Sequence, residues 1–290
     1  MRWHLVCVFC AVLVLLFAVA SLPWAHAYYS PMALVNGTAY RPFAYRVLAP
    51  ALMRALMAPG LPAMNAAALL GAAMLAAFAA GLCWLARGLG ASLAAGQLAL
   101  ALAGLLPLML RITHLYDLLT LALWTASLGA MAHRRHALYL ALFAAGCLNR
   151  ETAALLVVVY VLQFGFTRLV LVQAVLYAGV RAMLMAVMAG RPGQLVEVHL
   201  AEHWPQMVDD IERVMLYLIL AAIVAGLIAR RFTSKPRLLR IAAIVTVPVL
   251  VVAYFVAGYP FEFRVFYEAY PAVALLALWP VKEGAEKLLQ

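Results

Sequence analysis

Apolar runs long enough to cross a lipid bilayer recur along this chain, near residues 5–22, 62–86, 93–111, 115–132, 168–189, 211–229, 240–258 and 266–281. A spanning helix needs about 20 predominantly apolar residues, and fewer where neighbouring protein shields its ends. Two further runs, 137–149 and 152–166, are each too short to cross alone at ordinary tilt. No polar stretch between the runs is long enough for a separate soluble domain. With 68% hydrophobic and only 11% charged residues, the chain also lacks the charge to solvate a globular exterior. The expectation is an all-α, polytopic transmembrane protein of about ten spans, including a short broken pair near 137–166. It forms one membrane domain over residues 1–290, with outer loops near 23–61, 190–211 and 259–268.

The net charge of +10 does not point to nucleic acid, because the basic residues are scattered between apolar runs. Orientation signals and anionic lipid headgroups account for them better. Cys7, Cys10, Cys83 and Cys147 all fall within apolar runs, where free cysteine behaves as a small hydrophobe. Arg2, the run Leu5 to Ala20 and Ala25-His26-Ala27 mimic a cleavable signal peptide. The length of that run and the spans that follow favour an uncleaved first helix.

Excess Lys and Arg mark cytoplasmic loops. A cytoplasmic N-terminus and strict alternation put Arg2, Arg87, Arg134, Arg135, Arg168, Arg230, Arg231, Lys235, Arg237, Arg240, Lys282 and Lys287 inside. The same alternation places nine of the eleven acids at the outer side, and both termini in the cytoplasm. Scarce lysine beside abundant Ala, Leu and Arg suggests a bacterial source, hence an inner-membrane location.

Charges beside or within spans are costly and have either partners or a job. Asp117 opens an apolar run three residues after His114. It reads either as a carboxylate that binds a cation or acts as a base, or as a helix-start acid paired with Arg111. Asn149-Arg150-Glu151-Thr152 interrupts the short pair. Asn149 or Thr152 caps the next helix in one reading; in the other, the Arg150 guanidinium grips phosphate oxygens. The interruption itself either turns a short helical hairpin or breaks one long helix. Arg41, Arg46 and Arg54 form a basic strip on the outer side, met by lipid phosphate or by outer acids. Residues 52–57 within it have the spacing of an interfacial helix. Glu262, Arg264 and Glu268 alternate in sign among Phe261, Phe263, Phe266 and Tyr267, as an ion-pair cluster at a helix mouth would; the alternative is that they line a site. Arg181 lies deep in span 168–189 and requires an internal partner. His199-Leu200-Ala201-Glu202-His203 matches the H-x-x-E-H spacing of inverted zinc peptidases, but no third ligand is evident and Trp204-Pro205 follows. An amphipathic interfacial loop is the better reading.

Tyr116–Trp124 (YDLLTLALW), the basic turn His133–His136 and Leu142–Thr152 (LFAAGCLNRET) together resemble bacterial GT-C membrane glycosyltransferases and their uncharacterised relatives. Tyr45-Arg46-Val47-Leu48 and Glu262–Phe266 also resemble phrases found in related membrane proteins. The likeness covers about residues 111–165 and is looser elsewhere. It implies transfer of a sugar from a polyprenyl-phosphate carrier at the outer face. Asp117 and Glu151 would be its catalytic carboxylates, and Arg150, His114, Arg46, Arg41, Glu262 and Arg264 its substrate-binding groups. A divalent metal is compatible with that scheme, although no ligand set is assigned. Loop 23–61 departs from the pattern, for it contains no Asp or Glu where such enzymes place a catalytic acid. Either another outer acid substitutes, or catalysis is lost. The alternatives are a transporter or lipid flippase, with Arg181 and the 149–152 break lining a pathway, and a non-catalytic membrane scaffold. Oligomeric state, sugar and acceptor are not legible.

Overall fold

A computed structural model of the protein describes residues 31–91, 114–194, 196–259 and 261–279. The expected spans 5–22 and 93–111, the Cys7–Cys10 motif, Arg111 and both termini lie outside these residues. The described secondary structure is helical, apart from one isolated parallel bridge between Arg41 and Gly193. Short helices α1 (Pro31–Val35) and α2 (Leu48–Met57) lead into the long α3 (Ala63–Gly88). Then follow α4 (Leu115–Ala132), α5 (His136–Asn149), α6 (Ala154–Phe164) and α7 (Arg168–Val187). The chain closes with α8 (Leu200–Asp209), α9 (Ile211–Ala229), α10 (Arg237–Ala257) and α11 (Tyr270–Leu278).

Among the described residues five helices, α3, α4, α7, α9 and α10, are long and apolar enough to cross a membrane. The protein is thus an all-α, multi-pass membrane protein, but the expectation of about ten spans is too high for what is described. Two of the expected spans fall outside these residues. The pair α5 and α6 is short because the chain reverses between them. The run 266–281 loses its beginning to a 3-10 turn (Phe263–Phe266) and a buried loop, so that α11 has only nine residues.

Side-chain contacts show that α5 and α6 form a hairpin. The His136 ring, at the start of α5, meets Tyr160 and Phe164, at the end of α6. Tyr139 stacks on Tyr160 and donates to the Leu156 carbonyl at 3.2 Å. The reversal is made by Arg150, which is extended (φ −155°, ψ 144°), followed by a 3-10 turn at Glu151–Ala153. Neither Asn149 nor Thr152 caps the returning helix. Asn149 Nδ2 instead donates to the Tyr116 carbonyl and to Thr120 Oγ1, both at 2.8 Å, which fixes the hairpin tip to α4.

Helix α4 is the axis of the fold. It is apolar around its whole circumference and buried almost throughout, packed on α3 along one side and α5 along another. Close approach to α3 depends on Gly129, where a Cβ would lie 2.5 Å from the Trp84 ring. A core of Phe78, Leu82, Leu121, Leu128, Tyr139 and Phe143 fills one half of the bundle. A smaller core of Phe43, Met53, Leu75 and Tyr116 fills the other, under α2. Helix α2 buries Ala49, Pro50 and Met53 while exposing Leu52 and Arg54, the one-sided pattern of a helix lying on a surface. Helix α9 buries no residue at all. Its end is held by Lys235, whose Nζ donates to the carbonyls of Leu227 (2.6 Å), Ile228 (3.0 Å) and, in α11, Leu276 (2.8 Å).

Candidate functional site

Asp117 stands in the first turn of α4, where the helix dipole favours a carboxylate. Its Oδ2 accepts from the backbone N–H of His114 at 3.3 Å, completing a reciprocal cap. The side chain is fully buried. Two guanidinium groups reach it: Arg150 Nη1 lies 3.4 Å from Oδ1, and Arg264 Nη1 lies 3.1 Å from Oδ2. The same Nη1 of Arg150 lies 3.4 Å from Glu268 Oε1, which also accepts a hydrogen bond from Thr152. Arg264 donates further to Glu262 and, at 2.8 Å, to the Tyr116 hydroxyl. Each charge here thus has an opposite one within reach, as burial of ions requires.

A second group adjoins this one at the hairpin tip. Glu151 has Arg46 Nη2 3.7 Å from one oxygen and Arg181 Nη1 4.0 Å from the other. Arg46 lies over the Tyr116 ring, 4.3 Å from its centroid, and Arg181 over Tyr45 at 5.1 Å. Tyr177 donates to the Glu151 carbonyl at 3.0 Å, and the Val47 N–H to the Leu148 carbonyl at 3.0 Å, so α7 and the loop before α2 both grip the tip. Glu151 is the least buried acid of the group, with 38% of its side chain exposed, although its Oε2 is buried.

The fold therefore gathers Asp117, Glu151, Arg150, Arg46, Glu262 and Arg264 into one constellation. His114 sits at its margin, stacked on Tyr116 at 5.0 Å. Burial pushes the His114 imidazole down to about 4, with Asp117 opposing that shift and the nearby arginines adding to it. Arg41 is not drawn in; its backbone N–H instead bonds the Pro192 carbonyl at 2.9 Å. Three members escaped the sequence reading as site residues. Glu268 reads in the sequence with Glu262 and Arg264 as an ion-pair cluster or a site lining, Tyr116 only as the first residue of the Tyr116–Trp124 motif, and Arg181 as a charge whose partner the sequence does not name. A carboxylate just before an apolar run was the available signal for Glu268, the same signal that marked Asp117.

Among the described residues no group of three or more His, Cys, Asp or Glu side chains is placed to hold a metal ion. Asp117 and Glu268 share Arg150 rather than facing a common cation site, so the donor set does not fit a divalent ion. The H-x-x-E-H segment is likewise engaged internally. His203 Nε2 contacts the Tyr254 and Gly258 carbonyls at 3.0 and 2.9 Å, and His199 Nδ1 lies 3.2 Å from Glu202.

Space is distributed unequally around the constellation. Beside Arg150 the free volume is only about 10 Å³, about enough for a single water. On the far side of Arg46 a cavity of about 320 Å³ opens, bounded also by Arg54 and Arg191. Comparison of the chain with protein-family models, with curated proteins and with solved structures gives no match.

Proposed function

We propose that the protein is a GT-C-like membrane glycosyltransferase, or a close relative, acting at the outer face of the membrane on a sugar carried by polyprenyl phosphate. The observation that supports this reading is the partly exposed Glu151 side chain held between Arg46 and Arg181 at the tip of the short α5–α6 hairpin. Transfer from a phosphate carrier breaks the bond between the anomeric carbon and phosphate oxygen, and the electron pair leaves with the phosphate. The acceptor hydroxyl forms the new bond and gives up its proton. A carboxylate beside the reacting carbon takes that proton and stabilises developing positive charge, while guanidinium groups stabilise the departing phosphate. In this reading Glu151 is the catalytic carboxylate and takes the place of the acid missing from loop 23–61. Asp117 and Arg150, buried behind it, are positioning residues that set the hairpin tip against α4. Arg264, Glu262 and His114 complete that support.

The test is sugar transfer in proteoliposomes supplied with polyprenyl-phosphate-linked sugar. Glu151→Gln is expected to slow transfer by about 10²-fold or more in protein that is still folded, with the lower melting temperature that unpairing Arg46 and Arg181 brings read separately. Transfer at the wild-type rate in that variant removes Glu151 from the chemistry.

One observation favours a second reading, a non-catalytic scaffold. Four arginines (46, 150, 181 and 264) face four acids (117, 151, 262 and 268), so the constellation neutralises itself. A scaffold requires no turnover by the wild-type protein with any lipid-linked sugar.

A further inference from the structure

We propose that the cavity bounded by Arg46, Arg54 and Arg191 is a binding site for a phosphate group. Its volume of about 320 Å³ falls in the range of small-ligand sites. Three guanidinium-bearing residues and Asn36 line it, and among the described residues no Asp or Glu does. Like charges converging on one space repel each other unless an anion joins them. In the constellation at the hairpin tip, arginines approach one another around carboxylates, as Arg150 and Arg264 do around Asp117. At the cavity the described residues supply none. Among the described residues neither Arg54 nor Arg191 has a carboxylate within salt-bridge distance, and Arg46 has only Glu151, at 3.7 Å.

Arg46 provides the second observation. The residue is only 7% exposed, yet its Nε and Nη1 are buried with no hydrogen-bond partner among the described residues. The guanidinium lies over the Phe43 and Tyr116 rings, 5.0 and 4.3 Å from their centroids, an arrangement that holds the group in place and leaves its positive charge beside the cavity.

The walls are also fixed relative to each other, although they come from distant parts of the chain. Arg191 follows the end of α7, whereas Arg46 and Arg54 belong to α2 and the loop before it. The Arg41 N–H bonds the Pro192 carbonyl, and Gly193 bridges Arg41 in parallel. Gly193 has φ +100°, and a Cβ there would come within 2.5 Å of the Arg41 carbonyl oxygen, so only glycine permits this junction. The result is a pre-formed, acid-free cradle. Guanidinium groups bind phosphate oxygens in paired hydrogen bonds, and three of them arranged around one space suit a tetrahedral anion better than a planar carboxylate.

The inference does not depend on sugar transfer. The phosphate is that of a lipid headgroup or of a soluble phosphate, and the experiment separates the two. The full chain is reconstituted in phosphatidylcholine nanodiscs and titrated with pyrophosphate. In parallel, phosphatidylglycerol is added to the nanodiscs and lipids retained after detergent extraction are read by native mass spectrometry. A soluble source predicts pyrophosphate binding that weakens about 10-fold or more in Arg54→Gln/Arg191→Gln. A lipid source predicts selective retention of phosphatidylglycerol, lost in the same double variant. Because Arg54 projects from the exposed face of α2, Arg54→Gln alone gives a weaker form of either result if the double variant melts early. Glu151→Gln is expected to retain phosphate at or above the wild-type level, so loss of transfer and loss of the cavity are read separately. Failure to bind either probe, or equal binding by wild type and double variant, overturns the proposal.

Discussion

At the scale of single residues, the most consequential feature is that Asp117 carries two arginines. Burying each of these ions costs several kcal/mol, offset only while all are paired. Asp117→Asn keeps the shape but leaves Arg150 with Glu268 alone and Arg264 with Glu262 alone. The expected cost is about 3–5 kcal/mol, read as a lowered thermal midpoint in detergent. An unchanged midpoint would mean that water reaches the pair freely. His114 contributes a pH dependence. Its pKa falls from 6.5 to about 4 on folding. The unfolded chain therefore binds the extra proton first, and this contribution to stability is complete above about pH 6.5 and drains away as pH falls towards 4. Wild type should thus lose more thermal stability between pH 7 and pH 5 than His114→Gln does. Parallel losses in the two proteins would rule out the imidazole as the source.

Helices, as elements, are held by different means, and the sequence reveals these means unevenly. α3 and α4 meet through a small residue facing a large one, Gly129 against Trp84. Gly129→Leu has no room and is expected to cost about 1–3 kcal/mol through overpacking. Trp84→Ala in the same background should recover part of that loss in a double-mutant cycle, and strict additivity would show that the two do not meet. Apolar run length located α3, α4, α7, α9 and α10 well, because hydrocarbon thickness imposes a length that composition cannot hide. It failed at the last run, where Arg264 and Glu268 draw residues before Tyr270 into a buried loop instead of a helix. It was also blind to environment. α4 and α9 are both apolar all round, yet α4 is almost wholly buried and α9 buries nothing. Against lipid and against protein an apolar side chain is equally acceptable, so no pattern in the residues separates the two cases.

For the whole molecule, the site was partly legible for a geometric reason. Asp117 and Arg150 stand nearly equally far along the chain from the basic turn at Arg134-Arg135, so two antiparallel helices bring them to similar heights. Arg264 and Glu268 arrive from a remote part of the chain, and only the tertiary fold supplies that meeting. The cavity at Arg46, Arg54 and Arg191 is of the same kind: a basic strip could be seen, but not its junction with the end of α7. The shortness of the hairpin has a consequence for the lipid beside it. α5 has 14 residues, which at 1.5 Å per residue is about 21 Å, against a hydrocarbon core of about 30 Å. Ionised side chains begin where that helix stops, so acyl chains of full length would meet them at the tip unless protein stands between. α4, α7 and the loop before α2, all hydrogen-bonded to the tip, are that screen.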